Sequence, residues 1–296
     1  MSFAAFAPVL DAVRGIGWPA LRRVKSAVPG PHMSRVRGTT AEFVEHRPYR
    51  QGDEPKRIDW RLVARTDRVF IRLSQERAIQ PTMLVADASA SMAFPQPGND
   101  KREHARELAV GLASVARHGG DPVGLLVAHR SQPRAVAPRT RRTVLEEMAA
   151  ALDVVPQAGA GAPLLPAMRE AMRRARRIVV ISDFLGDDAG DLLTASCGFV
   201  ALANEVYAIH VVAREELEPY PKKLLLEDPE QPAFRRPMSP PARVQYIRRF
   251  AAWREQLARE WRKAGVVYAM VVPGQESLRT TIRRITSPPG GPRIGR

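Results

Sequence analysis

Apolar and polar positions follow two periods along this chain. Short uncharged or nearly uncharged runs at 83–86, 123–128, 178–182, 205–212 and 266–272 read as strands buried on both faces, as in a parallel sheet. Between them the period becomes helical. Residues 101–117 place Ala105, Leu108, Ala109, Leu112 and Val115 on one face. Residues 140–152, a basic stretch at 164–177, and 189–203 read as helices too. A long stretch at 242–264 stacks Tyr246, Phe250, Trp253, Leu257 and Trp261 in a stripe expected to be core packing, and 275–285 closes the series. Residues 68–74 alternate Val69, Ile71 and Leu73 with polar neighbours, a half-exposed strand, and 134–137 give a shorter one. Strands alternating with helices predict an α/β fold with a doubly wound, mostly parallel sheet.

Breaks in these patterns divide the chain. Residues 1–35 form an N-terminal helical segment, apolar at Val9, Leu10, Val13, Ile16, Leu21 and Val24 and interrupted by Gly15, Gly17 and Pro19. Residues 36–78 form an arm, and 79–286 the α/β domain. A proline-rich, acidic stretch at about 214–241 reads as an insertion, and 287–296 as a disordered tail.

Composition adds limits. The chain has 296 residues, 45% of them hydrophobic, enough for one large or two small domains. No charge-free run reaches the roughly 18 residues of a membrane helix. The start, Met-Ser-Phe-Ala-Ala-Phe, lacks the basic n-region of a signal peptide. One cysteine, Cys197, excludes an internal disulfide and fits a reducing compartment. Its apolar neighbours predict that it is buried. The expected location is the cytoplasm. The net charge of +15 is spread along an Arg-rich chain without a basic block, so binding of nucleic acid or an anionic surface stands only as an alternative.

Candidate chemistry centres on Pro81-Thr-Met-Leu-Val-Ala-Asp87-Ala-Ser89-Ala-Ser91-Met92. An Asp and two Ser follow an apolar strand, at the strand end where open α/β sheets bind ligands. They are hard oxygen donors, suited to Mg²⁺ or Mn²⁺. The alternative is that Asp87 and Ser89 simply cap the next helix, and spacing alone does not decide. Asp183 ends another buried strand. Asp188 is placed to cap the helix that follows it, while Asp187 could cap or join the site. His129 reads as a loop or hydrogen-bonded histidine. In the arm, Arg47, Arg57 and Arg65 can pair with Asp53 and Asp59. Gly52-Asp53 marks a turn, and Ile58 and Trp60 are expected to be buried anchors.

The Asp87-x-Ser89-x-Ser91 cluster resembles the metal-ion-dependent adhesion site of von Willebrand factor A-type domains. That resemblance implies direct contact of Ser89 and Ser91 with the metal and contact of Asp87 through water. It makes Asp183 the last protein carboxylate, and a partner's carboxylate completes the shell. The pattern also expects a Thr in the loop before the strand of Asp183, where residues 159–164 read Gly-Ala-Gly-Ala-Pro-Leu. A missing bond to a charged group costs about 1.5–3 kcal/mol, so the expected ion is held weakly or not at all. Arg47-x-Tyr49-x-x-Gly52-Asp53, then Arg57-Ile58-Asp59-Trp60, Ala64-Arg65 and the Asp/Ser cluster are together similar to the bacterial "domain of unknown function 58" proteins. These are von Willebrand A-like proteins typically encoded beside MoxR-type AAA+ ATPases. The likeness runs from about 38 to 92 and more loosely onward. It implies a non-enzymatic protein-binding module that acts with a MoxR-type AAA+ ATPase in chaperone-like maturation. The enzymatic alternative is a phosphatase or hydrolase with Asp87 as nucleophile. It lacks the second carboxylate two residues on, where Ser89 stands, and the chain has no phosphate-cradling loop.

Overall fold

The structure, a computed structural model, describes residues 3–21, 42–51, 53, 55, 58–66, 68–75, 79–95, 101–131, 133–154, 163–186, 188–220, 224–230 and 233–287. In chain order a 3₁₀ turn (Phe3–Phe6) leads into α1 (Ala7–Ala12), followed by β1 (Glu42–Pro48), α2 (Trp60–Thr66), β2 (Phe70–Gln75) and β3 (Thr82–Asp87). A 3₁₀ turn (Ala90–Ala93), α3 (Lys101–His118), β4 (Val123–Ala128), β5 (Arg134–Arg139), α4 (Val144–Ala151), α5 (Leu164–Met172), β6 (Arg177–Ser182), α6 (Ala189–Ala201) and β7 (Glu205–Val211) come next. The last elements are α7 (Arg214–Leu217), β8 (Leu224–Glu227), β9 (Arg235–Met238), α8 (Pro240–Lys263), β10 (Val267–Val271) and α9 (Leu278–Thr286). The chain divides into two compact units, residues 24–79 and the remainder.

The larger unit is an α/β layer structure on a six-stranded sheet of order β10-β7-β6-β3-β4-β5. All neighbours are parallel except β5, which runs antiparallel to β4 at the edge. This is the mostly parallel sheet that the apolar runs predict. Alternate residues of the central strands serve opposite faces. Leu84, Leu125, Val179, Ile181 and Ile209 join the cluster with α1, α3, α4 and α9. Met83, Val85, Leu126, Val180 and Ala208 join the cluster with α5, α6 and α8. The N-terminal segment is part of this body, with Phe6, Val9, Val13 and Trp18 buried in the first cluster. Gly111 allows that packing, because a Cβ there would lie 2.4 Å from Ile282 Cδ1. Helix α7 and a hairpin of β8 and β9 lie in the stretch read as an insertion.

Several expectations change in detail. Helix α5 stops at Met172 and α4 starts at Val144, both shorter than the sequence pattern. In α8 only Leu257 and Trp261 of the aromatic stripe are fully buried; Tyr246, Phe250 and Trp253 are half-buried and stack on one another with centroids 5.5 Å apart. Cys197 is exposed, not buried. On α6 the inward positions are Leu192, Ser196, Phe199 and Val200, and Cys197 falls on the other side. Asp188 stands at the N-cap of α6 without a side-chain cap bond; its Oδ2 instead accepts from the Leu165 N–H at the start of α5. Asp187, the loop 155–162 and the tail 288–296 lie outside the described residues.

The smaller unit pairs β1 and β2 antiparallel, with α2 in the connection. Arg47 pairs with Asp53 at 2.7 Å. The Arg50 N–H and then Arg47 hold the Asp53 carboxyl below its usual value. Asp59 caps a helix and meets a histidine. Its Oδ2 meets His46 Nε2 at 3.0 Å, and its Oδ1 accepts from the N–H groups of Arg61 and Leu62, the bonds of a helix N-cap. Ile58 bridges to Ile71. Trp60, the first residue of the capped helix, is 67% exposed and so is not the buried anchor expected. Tyr49 and Arg65 are exposed as well, and Gly52 and Arg57 lie outside the described residues. Trp60→Ala should therefore shift unfolding free energy by less than about 0.5 kcal/mol. A urea melt showing a loss of about 3 kcal/mol or more, the scale of a buried Trp, would contradict this placement.

Candidate functional site

The carboxyl ends of β3 and β6 lie side by side at the centre of the sheet; β3 ends in Asp87, and Asp183 directly follows Ser182, the last residue of β6. Asp87 closes β3. Its Oδ1 accepts from the Ser89 N–H at 2.8 Å, and its Oδ2 accepts from the Ser182 hydroxyl at 2.5 Å. Ser182 Oγ in turn accepts from the Phe184 N–H at 2.9 Å. Phe184 has φ of 53°, the left-handed region that a non-glycine residue enters with strain. The hydroxyls of Ser89 and Ser91 share a hydrogen bond of 3.0 Å. All four expected site residues, Asp87, Ser89, Ser91 and Asp183, are buried at this one edge.

Four further groups complete the arrangement. Lys101, the first residue of α3, is fully buried and donates from Nζ to Asp183 Oδ2 at 2.7 Å and to Glu216 Oε1 at 2.6 Å. Glu216, on α7, also takes the Ala213 N–H at 2.7 Å. Glu230, from the turn between β8 and β9, accepts from the Ser91 N–H at 3.1 Å. Ser182 is the fourth. Of these, Lys101 left a trace in the sequence. A lysine in the first turn of a helix opposes the helix dipole, so its presence there asks for another partner. Glu216 and Glu230 sit inside the apparent insertion, where no pattern marks them.

The electrostatics follow from burial. Burial, and then the nearby Asp183 charge, pushes the Asp87 carboxyl up to about 7, against the donors Ser182 and Ser89. Burial works to lower Lys101, but the Asp183 and Glu216 carboxylates outweigh it and raise the ammonium further. Burial raises Glu216 despite Lys101, and raises Glu230. Behind the site, His210 is buried among Phe184, Trp253 and Tyr268, and burial lowers it to about 3.

The oxygen set suits Mg²⁺ or Mn²⁺ by type. In this arrangement, however, it does not fit such an ion, since protein donors already hold its oxygens. A divalent ion would have to compete with the Ser182 hydroxyl for Asp87 and move the ammonium away from Asp183. Among the described residues no group of three or more His, Cys, Asp and Glu side chains is set to hold a metal. Of the stretch 159–164 where the adhesion-site pattern places its Thr, residues 159–162 lie outside the described residues, and Pro163 and Leu164 stand at the start of α5.

Among solved structures the chain is similar to the conserved hypothetical protein BatB from Bacteroides thetaiotaomicron, at 16% identity and TM-score 0.47, over 71% of this chain and 98% of that one. It is also similar to the SpRpn10 VWA domain, at 11% identity and TM-score 0.43, over 74% of this chain and 100% of that one. An uncharacterized protein of Mycobacterium tuberculosis strain H37Rv is 29% identical over 284 residues, 93% of this chain and 88% of that protein. An uncharacterized protein of Mycobacterium bovis matches to the same extent. The model of the family described as "Protein of unknown function DUF58" matches residues 45–256, well over half of the sequence, and the chain belongs to that family.

Proposed function

We propose that this protein is a non-enzymatic protein-binding module that uses the β3/β6 edge as its contact surface, with a MoxR-type AAA+ ATPase as partner in chaperone-like maturation. The observation that supports it best is the rim of this edge. Leu185, just past Asp183, is exposed, and so are Leu225, Leu226 and Phe234 on the hairpin whose turn brings Glu230 to Ser91. An exposed apolar side chain beside a buried polar cluster, together with a hairpin that carries more of them, is the composition of a protein interface. The choice of an ATPase rests on the family resemblance. The acidic groups at the edge, Asp183, Glu216 and Glu230, disfavour a phosphate ligand there, so the net positive charge acts elsewhere if it acts on a polyanion. An enzyme reading has less support, because both oxygens of Asp87 are committed to hydrogen bonds and burial keeps the carboxyl partly protonated near neutral pH.

The test is biolayer interferometry with a purified MoxR-type AAA+ ATPase and ATP. Saturable binding is expected, weakened at least tenfold, about 1.4 kcal/mol, by Leu226→Glu combined with Phe234→Glu. Both side chains are exposed, so the fold should survive, which circular dichroism checks. No binding at about 100 μM ATPase, a concentration that reports only affinities near −5 kcal/mol or tighter, or binding that ignores the double substitution, would overturn the reading.

A further inference from the structure

We propose that the pocket formed by Asp87, Ser89, Ser91 and Asp183 is built around a resident cation, the Lys101 ammonium, and works without a divalent metal. Lys101 begins α3, with its backbone N–H bonded to the Phe94 carbonyl at 3.1 Å, and sends its whole stem inward until none of it is exposed. A buried ammonium needs close anionic partners. Lys101 has two, Asp183 at 2.7 Å and Glu216 at 2.6 Å, from two different elements. The second carboxylate comes from α7, outside the Asp/Ser cluster, so the cation site is a separate piece of construction around the nitrogen.

Geometry makes the two cations mutually exclusive. An ion bound to Asp183 Oδ2 would sit about 2.1 Å from that oxygen, and Nζ already lies 2.7 Å from it. The ion and the ammonium would then be less than about 5 Å apart in a buried pocket, where like charges repel strongly. Each oxygen of Asp87 accepts a protein hydrogen. An ammonium also differs in kind from a divalent ion. It is covalently tethered and does not depend on free metal. It offers three hydrogens, whereas Mg²⁺ demands six oxygens in an octahedron. This inference does not depend on the identity of the partner.

The test uses the full chain and Mn²⁺ alone, followed by the electron paramagnetic resonance signal of free Mn²⁺. The wild-type protein is expected to hold no Mn²⁺ in a one-to-one site tighter than about 1 mM, the weak end of oxygen-ligand sites. Its melting temperature should be the same in Mg²⁺ and in EDTA, because a ligand that does not bind the folded state cannot stabilise it. Lys101→Ala removes the tethered cation and leaves Asp183 and Glu216 facing each other. That variant should gain one Mn²⁺ site at least tenfold tighter than wild type, and adding Asp183→Asn should abolish the gain. If Lys101→Ala does not fold, Lys101→Met retains the stem volume and carries the same expectation. A folded Lys101 variant that gains no affinity for Mn²⁺ would overturn the proposal. So would one-to-one micromolar Mn²⁺ binding by the wild type that Asp87→Asn removes, and this wild-type measurement decides the matter even if neither Lys101 variant folds.

Discussion

Replacing Arg177 by Met should lower the free energy of unfolding by about 3–5 kcal/mol, the scale expected when one member of a buried ion pair is removed. Arg177 opens β6 and is fully buried. Its Nε donates to Glu205 Oε2 at 2.9 Å and its Nη1 to Asp121 Oδ2 at 3.3 Å, while the guanidinium lies 4.5 Å from the Trp18 ring centroid. Met retains the stem but leaves two acidic groups facing an apolar interior. The group does further work through its partners. Glu205 Oε1 accepts from the Leu21 N–H at 2.6 Å, and Asp121 Oδ1 from the Gln80 N–H at 3.0 Å. Urea denaturation monitored by tryptophan fluorescence measures the loss. A change below about 1 kcal/mol, the level of a surface ion pair, would show that water reaches the cluster. Arg177→Met combined with Glu205→Leu should recover part of the loss, because it removes an unpaired charge as well as a paired one.

Acidification should destabilise the protein through His210. The ring is buried, with Nδ1 2.6 Å from the Tyr268 hydroxyl and edge contacts to Phe184, Trp253 and Tyr268. Burial is the main reason it is held near 3, with the Lys101 and Arg254 charges adding to it and Asp183 opposing. In the unfolded chain the same ring titrates near 6.5. Its folded value is depressed, so the unfolded state takes up the proton first. The stability it contributes is complete above about pH 6.5 and is lost as pH falls toward 3, at up to about 1.4 kcal/mol per pH unit. Asp87, raised to about 7, acts in the opposite sense over the upper part of this range. The comparison must therefore be between wild type and His210→Phe. Going from pH 7 to pH 4, the wild type should lose about 3 kcal/mol more than the variant. Equal losses would mean that His210 already carries a proton in the folded protein.

The sheet was readable in the sequence because its strands are apolar on both faces, so each appears as an uninterrupted run whatever its neighbours are. The ends of β3 and β6 were readable for the same reason, since a carboxylate that closes such a run must lie at the sheet edge. Trp60 was misread because a large apolar residue between charged ones suggests an anchor, whereas Asp59 followed by a helical stretch is the stronger, capping signal. Cys197 shows a similar limit. Apolar neighbours in sequence say little about which positions of a helix turn outward. The partners of the site's cation lay beyond reach for a different reason. Lys101 reaches Asp183 only through an extended side chain, and Glu216 and Glu230 arrive from a stretch whose pairing was not encoded in any period. Contacts of that kind depend on tertiary geometry.

The bonds around Arg177 also bear on how the chain evolves in length. Leu21 and Gln80 flank the smaller unit, residues 24–79, and both are tied by their N–H groups to the carboxylates that Arg177 holds. The body thus grips the two ends of a long excursion at one non-covalent clasp. The entropy of closing such a loop rises only with the logarithm of its length, so doubling the excursion costs the body about 0.6 kcal/mol. The segment between the clasped residues is therefore free to be lengthened, shortened or exchanged for another small unit with little effect on the sheet, provided that Glu205, Asp121 and Arg177 remain.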